Sequence, residues 1–155
     1  MLHRSLPGPT PAAPMTLFQL TYISRSTERF SARDLPELLE AARAKNLALD
    51  LTGALYFAAG RFIQVLEGEE AVVRKLYATI LRDPRHTEVE TVAARAIDER
   101  AFLTWRMGAL SASLAARAAK EAFRLHRTRE TTWSEETLDQ IIEEFQLALR
   151  RPPPT

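Results

Sequence analysis

Strand-like and helix-like stretches alternate along the chain. "LFQLTYIS" (17–24) is rich in strand formers and is predicted as strand β1. In "SARDLPELLEAARAKN" (31–46), Leu35, Leu38, Leu39, Ala42 and Asn46 recur at helical spacing on one face. This predicts helix α1, with Pro36 in its first turn, where a missing N–H costs little. "LTGALYFA" (51–58) reads as β2 and "RFIQVLEG" (61–68) as an antiparallel β3, joined by a tight turn in which Gly60 supplies a positive φ. Glu69 and Glu70 open helix α2, whose buried face is Val73, Leu76, Tyr77 and Ile80. That helix ends near "RDPRH", where Pro84 disfavours continuation. "TEVETVAARAI" (87–97) is β4, and a turn or short helix then leads to a fifth strand, β5, around 105–110. An alanine-rich helix α3 (112–127) and an amphipathic helix α4 (135–150) follow. The apolar face of α4 is Leu138, Ile141, Ile142, Phe145 and Leu149, and Ser134 or Thr132 can cap it.

The order β-α-β-β-α-β is the ferredoxin-like pattern, an α+β fold. It predicts a mixed sheet with a fifth strand, α1 and α2 packed on one sheet face, and two further C-terminal helices. The face of α4 then has to be covered by the open sheet face, by α3 or by another subunit.

One strand poses a chemical question. Gln64 stands among Phe62, Ile63, Val65 and Leu66, in a strand apolar enough to be buried. A primary amide brings two donor hydrogens and an acceptor, and leaving such a group unpaired costs about 1–3 kcal/mol. Gln64 shares side-chain parity with Phe62 and Leu66, as Tyr22 does with Phe18 and Leu20. Asn46 ends the stripe of α1. If those faces look toward the helices, three polar tips converge on one inner layer, where they satisfy each other or a ligand. Taken singly, each has a plainer reading: an edge glutamine, a left-handed helix cap at Asn46, a tyrosine with a wet hydroxyl.

Composition narrows the chemistry. The chain has 155 residues, 46% hydrophobic and 26% charged, which suits one domain with a real core. A net charge of +1 gives no pull toward nucleic acid or an acidic membrane, and no apolar run reaches the ~18 residues of a membrane helix. With no cysteine there is no disulfide, thiolate metal site or thiol nucleophile, which fits a reducing cytoplasm. His3, His86 and His126 are too scattered for a metal cluster. Seven of the nine prolines lie in the tails, so residues 1–14 read as a disordered arm and 152–155 as a tail, with Met15 a possible start.

"LTYISRST", "ARAKNLALDLTGALYF", "GRFIQVLEG", "ILRDPRH" and "FLTWRMGAL" together, in this order and spacing, resemble the BLUF family of blue-light sensors using flavin. The resemblance runs from about Thr16 to Leu110 and divides the chain into a flavin-binding domain (15–110) and a helical extension (111–151). It implies a flavin, usually FAD with FMN or riboflavin as alternatives, held non-covalently between α1 and α2. It places the photoactive tyrosine at Tyr22, the flavin-binding asparagine at Asn46 and the switching glutamine at Gln64, and it adds Lys45, Arg85 and His86 as flavin contacts. Trp105 and Met107 match the β5 pair that relays the signal. Ala42 stands where some relatives have a polar residue, which removes one side-chain hydrogen bond to the ring. The implied mechanism is transient proton-coupled electron transfer from Tyr22, after which Gln64 is left rotated or tautomerised.

Two rivals remain on the same scaffold: a flavin-free interaction module, and a small flavin oxidoreductase. The second lacks a substrate-activating constellation, so the expectation is a sensor and not an enzyme. The stretch after residue 110 is too short for a cyclase or phosphodiesterase domain, so the expected output is an unidentified partner protein or the chain's own oligomer.

Overall fold

Gln64 lies at the centre of a sheet that is covered on both sides. A computed structural model describes residues 16–110, 112–127 and 133–150. The proline-rich arm, the C-terminal tail and Thr132 fall outside them. The order of elements is β1 (Leu17–Ser26), α1 (Leu35–Leu49), β2 (Thr52–Ala58), β3 (Arg61–Glu69), α2 (Glu70–Leu81), β4 (His86–Ala96), β5 (Gly108–Ala109), α3 (Ala112–Arg127) and α4 (Glu135–Arg150). A single 3₁₀ turn, Ala32–Asp34, leads into α1.

The five strands lie in the order β4-β1-β3-β2-β5, with the first four antiparallel and β5 parallel to β2. The mixed sheet and the ferredoxin-like core are as the hydrophobic pattern predicts. Ala59 and Gly60 both have positive φ, 52° and 74°, the requirement of a type I′ hairpin between β2 and β3.

Alternation along the strands makes two cores. Phe18, Leu20, Tyr22, Leu55, Phe62 and Leu66 face α1 and α2. Ile23, Ala54, Tyr56, Ile63, Val65 and Val92 face α3 and α4, and meet Ala115, Ala119, Ala122, Leu138, Ile141 and Phe145. The apolar face of α4 is thus covered by the sheet and by α3. Helices on both faces explain why β3 is buried from Phe62 to Gly68. Ser134 Oγ accepts the Thr137 N–H at 3.2 Å and caps α4.

Two expectations need correction. Helix α1 does not end at Asn46 but continues to Leu49, and it is closed by Asp50, whose φ of 53° is left-handed and whose N–H returns to Asn46 O and Leu47 O. Asn46 is therefore an interior helical residue, not a cap. The second correction concerns β5, which spans two residues only, so Trp105 and Met107 precede it in a turn. The backbone of that turn is tied to β2 and to α1: Gly53 N–H donates to Trp105 O at 2.9 Å and Arg43 Nε to Met107 O at 3.0 Å. Strand parity therefore does not apply to the pair, and one side chain lies inside while the other lies outside. Met107 is 1% exposed and Trp105 38%.

Candidate functional site

The apolar stripes of α1 and α2 do not close on each other over the sheet. Leu38, Ala42, Leu76 and Ile80 instead wall a cavity of about 300 Å³, whose floor is Leu55, Phe62, Tyr22 and Gln64. Asn46 and Lys45 border it from α1, and Asp83, Arg85 and His86 from the turn after α2. All six residues expected to contact a ligand, Tyr22, Lys45, Asn46, Gln64, Arg85 and His86, line this one cavity. Trp105 and Met107 are not among its lining residues.

The floor is set by register. Gln64 on β3 is directly opposite Tyr22 on β1 and Leu55 on β2. Tyr22 Oη donates to Gln64 Oε1. The Gln64 Nε2 side faces Met107, with its sulfur at 3.5 Å. The three polar tips are thus brought to one inner layer. Asn46 uses one amide hydrogen on Arg106 O at 2.5 Å, and its amide has a second hydrogen and an oxygen to offer.

Burial decides the electrostatics. Tyr22 is 1% exposed, and loss of solvation pushes its phenol far above the usual tyrosine range, with Tyr77 and Asp83 adding to the effect. Its ring lies 5.4 Å from that of Tyr77 and edge-on to His86 at 6.1 Å. His86 is half-buried, tilted against Phe62 at 4.5 Å, with its Nδ1 2.9 Å from Ser24 Oγ. Desolvation holds its imidazole below the ordinary histidine value, and Arg85 adds to this while Asp83 opposes it. Arg85 donates to Asp83 at 2.6 Å, and that bond keeps the Asp83 carboxyl low. Thr27 fixes the turn, its N–H donating to Arg85 O and its hydroxyl to Pro84 O.

A pH dependence follows. A histidine with a lowered folded value binds fewer protons when folded than when unfolded. Stability should therefore be full above about pH 6.5, fall as pH drops through the folded value of His86, and level off below it. Asp83 adds its loss only further down, below the ordinary carboxylate range. Thermal unfolding across this window should show the slope, and His86→Gln, which keeps a partner for Ser24, should flatten it. Equal slopes in both proteins would remove His86 as the cause.

Several contributors escape a sequence reading. Asp83 lines the cavity and orients Arg85. Its signal was the D-x-R spacing in "RDPRH", which lets the Arg85 side chain reach back two residues to the Asp83 carboxyl. Arg43, Arg100 and Arg106 tie the 100–107 turn to the body through backbone carbonyls, and such contacts leave no side-chain pattern to find.

The chain matches a family model, BLUF, described as sensors of blue-light using FAD, over residues 17–108. It is 42% identical over 99 residues to photoactivated adenylate cyclase subunit beta of Euglena longa, a match that covers 63% of this chain but 12% of that protein. Among solved structures, a BLUF protein in its dark state, BlrB, superposes with a TM-score of 0.72 at 27% identity, covering 87% of this chain and 98% of that one. The photo-activated state of BlsA gives 0.70 at 27% identity, covering 88% and 99%. Among the described residues, no helix is long and apolar enough to cross a membrane. The chain belongs to the BLUF family of blue-light sensors that use a flavin.

Proposed function

We propose that this protein is a blue-light photoreceptor in which Tyr22 and Gln64 are the photoactive pair. The observation that carries the reading is the buried Tyr22 Oη to Gln64 Oε1 hydrogen bond on the floor of a cavity flanked by Asn46. The cavity fits a flat ring with mixed polar edges. Its volume is at the lower end for small-molecule sites, its walls are mostly apolar, and its amides offer both donors and acceptors. FAD is the flavin in the family description, and FMN or riboflavin would present the same ring. Lys45, Asn46, Gln64, Arg85 and His86 are the residues that hold it. A bound flavin supplies blue-light absorption and, once excited, a strong oxidant beside Tyr22.

The chain's own residues set what happens next. Tyr22 Oη has its proton aimed at Gln64 Oε1, so an electron leaving the phenol is accompanied by a proton moving along that bond. When electron and proton return, the amide can settle with nitrogen and oxygen exchanged. Nε2 then faces Tyr22 and Oε1 faces Met107. A thioether accepts weakly and cannot donate, so the turned amide loses its bond to Met107. The output leaves through the 100–107 turn and the C-terminal helices toward a partner protein or a second copy of the chain.

A light-minus-dark absorbance spectrum tests the reading. Blue light should shift the flavin band slightly to the red, and the shift should decay in darkness. A flavin-free interaction module would be colourless, and irreversible bleaching would contradict a photocycle. Asn46→Ala should weaken flavin binding by about 1–2 kcal/mol, or roughly tenfold, as hydrogen bonds are lost at a buried site. A flavin fluorescence titration reads this directly, and unchanged affinity would remove Asn46 from the binding role.

A further inference from the structure

Glu67 lies three residues beyond Gln64 on β3, and by alternation its side chain leaves the sheet on the opposite face. It is fully buried, and both of its oxygens are occupied. Oε1 accepts from Thr52 Oγ1 at 3.2 Å and from the Phe102 N–H at 2.9 Å. Oε2 accepts from Gln19 Nε2 at 3.0 Å and from the Ala101 N–H at 2.8 Å. Burying a carboxyl group in a sheet is costly even when it is well bonded, so its presence calls for a purpose beyond packing.

The bonds continue outward. Ala101 O accepts from Gln146 Nε2 of α4 at 2.9 Å. Gln19 Oε1 accepts from Arg95 Nε at 3.2 Å, and Arg95 pairs with Asp139 of α4 at 2.8 Å. Both branches from Glu67 end on α4. The turn that begins at Ala101 also reaches Met107, whose sulfur is beside Gln64 Nε2.

We propose that Glu67 is a positioning residue that anchors the 101–107 turn between the switch amide and α4, so that rotation of Gln64 is read out as a change in α4. The proposal rests on Gln64 being the switch. When the amide turns, the Met107 side chain is released while the turn stays fixed at Ala101 and Phe102. Motion is then confined to rotation about that anchor, which swings the Ala101 carbonyl off its bond with Gln146. Without the carboxylate, residues 103–106 take up the displacement and α4 keeps its place.

The test is amide hydrogen exchange in dark and in light on the flavin-loaded protein, with the flavin red shift recorded in the same samples. The wild type should change its exchange on illumination in both 101–107 and α4. Glu67→Gln puts an amide, with one acceptor oxygen, against several donors, and should keep the red shift while the light-minus-dark difference in α4 shrinks several-fold. Should Glu67→Gln fail to fold, the pair Gln146→Leu with Asp139→Ala decides. These two residues lie outside the cavity, and cutting both branches there should keep the light response of 101–107 and abolish that of α4. A wild-type difference in α4 that survives in the variants overturns the proposal. So does a fully red-shifted wild type with no change in α4, or a variant that alters α4 protection equally in dark and light. A wild type with no red shift at all instead removes the reading beneath it.

Discussion

Tyr22→Phe should retain flavin and lose the reversible red shift entirely. The substitution leaves the ring against Tyr77 and His86 and removes only the hydroxyl, whose partner is Gln64 Oε1. Without that proton the Gln64 amide has no drive to exchange its ends. Gln64→Leu should have the same spectral outcome for the complementary reason, since an isobutyl group of similar size has no ends to exchange. Each variant strands one buried polar atom, the Gln64 oxygen or the Tyr22 hydroxyl, at about 1–3 kcal/mol. That loss is small enough for a folded, yellow protein, so a missing shift is not a missing chromophore. Burial also sets the pH behaviour. The Tyr22 phenol keeps its proton well above the ordinary tyrosine value, so the amplitude of the wild-type shift should not fall near pH ~10, where a solvated phenol ionises. Light-minus-dark spectra at matched flavin occupancy measure all three. A normal photocycle in either variant would exclude the pair as the switch.

The order of elements was legible in the hydrophobic pattern because strands and helices here follow their periods cleanly. Phe18, Leu20 and Tyr22, or Phe62, Gln64 and Leu66, share a face because side chains alternate, and the structure turns both sets toward α1 and α2. The convergence of Tyr22, Asn46 and Gln64 could therefore be foreseen. The end of α1 could not. Nothing in "NLALD" distinguishes a helix that stops at Asn46 from one that runs to Leu49, because the deciding event is Asp50 entering a left-handed conformation that few side chains adopt. The 100–107 turn was hidden for a different reason. "FLTWRMGAL" has the composition of a strand, yet its Phe102 N–H is taken by Glu67 and its Met107 carbonyl by Arg43, so its pairing with β2 stays short, from the Gly53 N–H to Trp105 O bond through Gly108 and Ala109. Glu67 itself reads as a surface residue near the end of a strand, two positions before the exposed Glu69. Only its four donors, drawn from β1, β2 and the turn, show that it is interior.

Gly53→Ala should be the most damaging single methyl group among these glycines, and the reason is a close approach rather than a turn. Gly53 pairs with Leu66 across the β2–β3 ladder, and a Cβ built there would lie 2.0 Å from the Val65 carbonyl oxygen and 3.1 Å from its carbon. Those atoms are backbone in the middle of a sheet covered on both faces, so no side chain can step aside. The methyl must part β2 from β3 or push β2 against the 105–108 segment, where Gly53 N–H is bonded to Trp105 O. Either movement disturbs the register that holds Gln64 opposite Leu55. A loss of about 3 kcal/mol is expected, at the upper end for overpacking. It should appear as a lower denaturant midpoint with an unchanged slope, together with weaker flavin retention. Gly60→Ala is the control, because there the cost is conformational. Its φ is +74°, the nearest atom to a new Cβ is the Ser26 hydroxyl at 3.4 Å, and about 1–2 kcal/mol is the usual penalty for a left-handed alanine. A Gly53→Ala protein no less stable than Gly60→Ala would mean that the sheet yields where its two central strands are closest. The rigid floor on which Tyr22 meets Gln64 would then have to be held by the helices instead.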